Sequence, residues 1–228
     1  MNKVGIIGGF GPETTSEFML MIISMWKKVK PNTRPELLIW NSDINEAIEK
    51  KFIKNNKSHI QMLGKLIKGA KLLEKSGSDF LVLPCNSLHI FIDDVRKSVN
   101  IPVLSILDIA STHLKNTKVS NVGILGTEVT IKSKIFHNSL LKNGINTITP
   151  DKQSQVKINN LITNLVTSKS VSRKDFDESV INLKKRGAIN ILLACTDLQL
   201  IQTHDQTIGF IDTLHLLAQA TVDTMLQE

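Results

Sequence analysis

The chain states one pattern twice, and that repetition limits what it can fold into more than any other feature. VGIIGG at residues 4–9 returns as VGILGT at 122–127, and FLVLPCNSLHI at 80–90 returns as ILLACTDLQLI at 191–201. IPVLSILD at 101–108 returns as IGFIDT at 208–213, in the same order, and the stretches before the second motif end alike, in EKSG and KKRG. A period of half the chain is too long for a solenoid and predicts two related, pseudo-symmetric lobes. Within each copy, apolar runs of strand length alternate with amphipathic stretches of helix length, the signature of α/β lobes, each a parallel sheet flanked by helices. KVGIIGG, PELLIW, FLVLPC, IPVLSIL, NVGILGT, NTITP, NILLACT and TIGFID are the predicted strands. SEFMLMIISMWKKV, SHIQMLGKLIKGAKLLEKSG, FIDDVRKSV, IKSKIFHNSLLKNG, VKINNLITNLVTS, KDFDESVINLKKRG and LHLLAQATVDTMLQ are the predicted helices. The first lobe is expected over 1–98 with 212–228, the second over 99–211.

The chain has only two cysteines, and the repeat brings them into register: Cys85 in one copy, Cys195 in the other. Each ends a predicted strand and opens a predicted helix. Ligand sites of parallel sheets lie beyond the carboxyl ends of the strands, so lobes packed face to face would set the thiols across a cleft. A helix N-terminus is also expected to favour the thiolate. Buried structural cysteine is the plain alternative. The matched placement, each thiol followed by small polar residues (Asn86-Ser87 and Thr196-Asp197), argues against it. Two cysteines are too few for a disulfide framework.

Composition closes other routes. Hydrophobic content of 41% belongs to an ordinary folded chain. The net charge of +7 comes mostly from scattered Lys, and there is no Tyr, so stacking platforms for nucleic acid are scarce and none is expected as a partner. FMLMII is among the longest apolar runs, too short to cross a bilayer, and MNKVGIIGG stops at a Gly pair, as a first strand does and a leader does not. A soluble, cytoplasmic protein without a membrane partner is expected. His89 lies four residues after Cys85, but no further Cys/His cluster has ligand spacing, so no metal is expected; His89 reads as a partly exposed helix residue or a rim contact. Asp108 and Asp212 are expected to cap the helices that follow them. Gly8-Gly9-Phe10-Gly11 lacks the spacing of either phosphate-binding glycine motif.

Taken together, these motifs resemble the aspartate/glutamate racemase superfamily over essentially the whole chain. Gly8-Gly9-Phe10-Gly11-Pro12, with Thr14 and Thr15 after it, is similar to the family's opening GGMGP. Pro84-Cys85-Asn86-Ser87 resembles its PCNT, and Ala194-Cys195-Thr196-Asp197 its GCTE. The resemblance implies a cofactor-independent amino-acid racemase of aspartate/glutamate type with its active site between the lobes. One cysteine, as thiolate, would remove the α-proton and the other, as thiol, would return one to the opposite face; the two roles exchange for the reverse reaction. By analogy Cys195 serves the L-isomer and Cys85 the D-isomer. Gly9, Phe10, Asn86, Ser87, Thr127 and Thr196 are the implied substrate contacts, with Asp197, where the family usually has Glu, supporting the Cys195 turn. Helix capping is an equal alternative for Asn86, Ser87 and Thr196. A homodimer is also implied.

Acidic-substrate members carry a basic pair for the side-chain carboxylate. The position matching their Arg is Ala47, with Lys50 and Lys51 nearest; their Lys falls near Thr167 or Ser168, with Lys169 close by. Lys51 and Lys169 are therefore the candidate carboxylate contacts. Without a clear clamp two rivals stand beside the racemase: a two-cysteine isomerase of maleate type, and a non-catalytic small-molecule-binding protein. A decarboxylase relative typically keeps one of the two cysteines, so both being present argues against it.

Overall fold

The computed structural model describes residues 1–55, 58–166, 171–201 and 209–227. The first half runs β1 (Val4–Gly8), α1 (Pro12–Val29), β2 (Leu37–Asn41), α2 (Glu46–Asn55), α3 (His59–Lys75) and β3 (Phe80–Val82). A single 3-10 turn at Ser87–Phe91 then leads to α4 (Ile92–Ser98) and α5 (Ile106–Asn116). The second half runs β4 (Asn121–Gly126), α6 (Glu128–Lys132), α7 (Ile135–Leu141), β5 (Asn146–Ile148), α8 (Lys152–Val166), α9 (Arg173–Lys185) and β6 (Asn190–Ala194). A 3-10 turn at Thr196–Leu200, β7 (Gly209–Asp212) and α10 (Thr213–Leu226) complete it.

Two parallel sheets result, ordered β2-β1-β3 and β5-β4-β6-β7. The repeat is visible in this topology. β1 and β4 are each flanked by the next two strands of their half, and Val103 bridges Leu81 beside β3 much as β7 pairs with β6. β1 and β3 are buried throughout, and β6 from its second residue on, which is why their sequences read as near-continuous apolar runs: helices cover both faces of a parallel sheet. One core lies between the sheets, joining Ile6, Phe18 and Trp26 of the first half to Ile124, Phe136 and Leu192 of the second and to Leu214 and Val222 of α10. Two further cores cover the outer faces, under α3 and α4 on one side and under α8 and α9 on the other.

Three expectations change. IPVLSIL is not one strand: only Val103 pairs with the sheet, and Ser105 turns the chain by accepting the Asp108 N–H and starting α5. Asp108 therefore caps nothing and pairs with Arg96 at 3.1 Å, whereas Asp212 does cap α10 through the Leu214 and His215 N–H groups. IKSKIFHNSLLKNG is not one helix, because the left-handed backbone of Lys134 (φ 56°) separates α6 from α7. No helix among the described residues is long and apolar enough to cross a membrane.

Candidate active site

The carboxyl ends of the central strands meet at a small cavity of about 20 Å³, room for about one water molecule. Cys85, Asn86 and Ser87 line it from the first half, and Thr127, Cys195, Thr196 and Asp197 from the second. Phe10, just past β1, adds a buried ring. Gly9 does not line the cavity. Its freedom serves a backbone contact instead: at φ 84° a Cβ there would lie 2.1 Å from the Ser42 amide nitrogen, so the β1 loop can press against the segment after β2. The roof is α2, which packs on α3 and, across the cleft, on α6 and α8. Its Glu49, Phe52 and Ile53, spaced to share one helical face, look inward.

The Cys195 thiol is buried and donates to Asp197 Oδ2 at 3.5 Å. The other carboxylate oxygen accepts a 2.7 Å hydrogen bond from the Thr14 hydroxyl of α1, so one carboxyl group ties the second cysteine to the first half. Burial, and then the neighbouring Asp197 charge, push the Cys195 thiol well above its usual range. Burial also raises Asp197, against the Thr14 and Cys195 hydrogen bonds that favour its charge.

Cys85 has different neighbours. Its thiol is pushed up to about 12, first by burial and further by the charges of Glu49 and Asp197, while the backbone N–H groups of Leu88 and Ser87 act the other way. The expected helix-terminus lowering of both thiols is thus outweighed by desolvation, and each cysteine is followed by a 3-10 turn and not directly by an α-helix. Behind Cys85 sits His89, 1% exposed and not on the rim. Its Nε2 accepts the Ile106 N–H at 3.0 Å, which leaves the proton on Nδ1, and Nδ1 donates to the Cys85 carbonyl at 2.8 Å. Burial keeps this ring neutral, with a pKa lowered to about 4. His89 therefore clamps the Cys85 turn to the start of α5 and does not touch the thiol.

Hydroxyls close the cleft. Ser87, Thr127 and Thr130 form a three-membered ring of contacts at 2.8, 3.1 and 3.1 Å, joining the two halves. Thr127 also caps α6 by accepting the Thr130 N–H. Asn86 gives no cap bond; its Nδ2 donates to Thr213 of α10 at 2.9 Å, and its buried Oδ1 has no hydrogen-bond partner among the described residues. Lys51 is exposed on the outside of α2 and does not line the cavity, since Glu49, Phe52 and Ile53 take the inner face. Lys169 lies outside the described residues, as do Thr167 and Ser168.

Sequence reasoning missed Glu49, Thr130 and Thr213, and set the buried His89 at the surface or the rim. Glu49 had a readable signal, an acidic residue spaced to share the helix face of Phe52 and Ile53. It is 8% exposed, and its pKa is raised to about 7 by burial and then by Asp197, Glu13 and Glu46. The other three needed knowledge of long-range neighbours.

The family model for Asp/Glu/Hydantoin racemase matches residues 7–221. The chain is 29% identical to the broad specificity amino-acid racemase RacX of Bacillus subtilis (strain 168), over 98% of each chain. Among solved structures it is similar to the Picrophilus torridus aspartate racemase, with 26% identity and a TM-score of 0.83 over 99% of this chain and 94% of that one. An aspartate racemase homologue from Pyrococcus horikoshii OT3, 24% identical, shares the fold with a TM-score of 0.81 over the whole of both chains.

Proposed function

The chain belongs to the Asp/Glu/Hydantoin racemase family, and from that premise we propose that it is a cofactor-independent amino-acid racemase in which Cys85 and Cys195 invert the α-carbon by two-base proton transfer. The observation that carries this reading is that two thiols from equivalent turns of the two halves line one cavity. Inversion needs a base and an acid on opposite faces of one carbon, and paired turns of a duplicated fold supply them.

Desolvation favours the protonated form of both thiols. Substrate brings an α-ammonium, whose positive charge lowers the cost of a thiolate. Asp197 accepts the Cys195 proton along the contact they share, and the thiolate takes the α-proton. The Ser87, Thr127 and Thr196 hydroxyls donate to the substrate carboxylate as charge builds on it. Cys85 then delivers its own proton to the far face, leaving Cys195 a thiol and Cys85 the thiolate that starts the reverse reaction. Cys195 serves the L-isomer and Cys85 the D-isomer. An amino acid exceeds a cavity of about 20 Å³, so α2 shifts for entry and returns to keep water from the carbanion. The protein works as a homodimer in the cytoplasm, where free thiols persist.

The test is a panel of L- and D-amino acids in D₂O, followed by NMR for α-hydrogen exchange and by chiral chromatography for inversion. Inversion of at least one amino acid, lost in both Cys85→Ser and Cys195→Ser, is the expected result. Folded, reduced protein that exchanges no amino acid would overturn the racemase reading in favour of a two-cysteine isomerase of maleate type or a binding protein.

A further inference from the structure

The two-thiol chemistry leaves one buried group unused. Glu49 lines the same cavity as the cysteines, and its carboxylate accepts the Gly11 N–H. Among the described residues it forms no ion pair: Lys50 pairs with Glu46 at 2.6 Å, and Lys51 is exposed. No Lys, Arg or His among the described residues lines the cavity, whereas two carboxylates do. They are not equivalent. Asp197 is held by Thr14 and Cys195, while Glu49 keeps acceptor capacity to spare. A buried carboxylate without a cation is costly, and the raised pKa of Glu49 reports that cost.

A substrate with an acidic side chain would bring another negative charge beside these two. A substrate with a cationic end would neutralise Glu49 and donate hydrogen bonds to its free lone pairs. The remaining wall around Glu49 is apolar, formed by Phe10, Phe52, Ile53 and Met62, and suits a run of methylenes ending in a charge. Ala47, where the family resemblance sets an Arg in acidic-substrate members, is exposed on α2, so this helix offers the cleft a carboxylate in place of a cation. We propose that the substrate is an amino acid with a basic side chain, whose terminal ammonium or guanidinium pairs with Glu49 while its methylenes lie along Phe52, Ile53 and Met62. This deepens the racemase reading and rests on it for the chemistry.

The experiment compares lysine, ornithine and arginine with norleucine, which is lysine without the terminal amine, and with glutamate. The expected result is a kcat/KM for α-hydrogen exchange about 100-fold higher for lysine or ornithine than for norleucine, with the preference collapsing to within about tenfold in Glu49→Gln. A preference for glutamate overturns the proposal. So does a Glu49→Gln variant that slows lysine and norleucine equally, which would put Glu49 on the α-ammonium. Thermal stabilisation by the same ligands reads the pocket without turnover. If no amino acid exchanges, the racemase reading fails alone: a rise in Tm with lysine, absent with norleucine and glutamate and lost in Glu49→Gln, would still establish the cationic pocket. Equal shifts with all ligands would sink it. Should Glu49→Gln not fold, Glu49→Ala and the wild-type preference decide.

Discussion

The two cysteine turns descend from one pattern and are built differently behind the thiol. Cys85 is fixed from the rear: a neutral, buried His89 holds its carbonyl and ties it to α5, while among the described residues no carboxylate is hydrogen-bonded to its thiol. Cys195 is fixed from the front, where Asp197 accepts from the thiol itself and from Thr14 of the opposite half. A duplicated scaffold thus sets two like groups opposite each other, and the differences lie one layer out, in what each turn leans on. One turn is anchored through its backbone and the other through its thiol.

The most decisive way to break this comparison is to remove one thiol at a time. Each serine variant is expected to lose inversion by about 10³-fold, yet to retain one-sided deuterium wash-in from the single enantiomer that the remaining cysteine serves. Equal residual wash-in from both enantiomers in either variant would mean that the two thiols do not address opposite faces.

His89 comes next, and its effect is on stability. Its folded pKa of about 4 lies below the ordinary 6.5, so as pH falls the unfolded chain takes up the proton first. Its contribution is full above pH 6.5 and is lost progressively between 6.5 and 4, amounting to about 3 kcal/mol. Urea unfolding of His89→Leu should show a deficit of that size at pH 8 that shrinks towards pH 4. A deficit independent of pH would contradict a neutral clamp.

The smallest effects test the Cys195 side. Asp197→Asn keeps the shape and removes the proton acceptor, and is expected to slow wash-in through Cys195 by about 30-fold while wash-in through Cys85 falls less. Thr14→Val removes one hydrogen bond to that carboxylate, for a loss of about 1 kcal/mol or less, seen as a rate change of up to about fivefold on the same side only. Symmetric losses would show that the carboxylate serves the whole cleft and not its own cysteine.

The repeat made the two sheets, the matched thiols and the family legible, because parallel strands buried on both faces must be apolar for their whole length and their carboxyl ends must carry whatever chemistry there is. What escaped was set by partners far away in sequence. IPVLSIL has strand composition, but a serine cap at Ser105 overrides it. Asp108 and Asp212 match in the repeat and differ in role, since only one copy has an Arg96 nearby to claim the carboxylate. His89 looked like a surface residue on a helix, and its burial depends on α5 folding over it. A helix N-terminus favours the thiolate, and burial of both thiols outweighs that influence.

The hydroxyl ring of Ser87, Thr127 and Thr130 has one more consequence. With each hydroxyl already bonded to the next, the ring satisfies itself. A carboxylate entering the cleft trades old partners for new ones, and the net gain from such a swap is small. For an enzyme that must release both mirror images of its substrate, a site that grips neither hard is a working advantage.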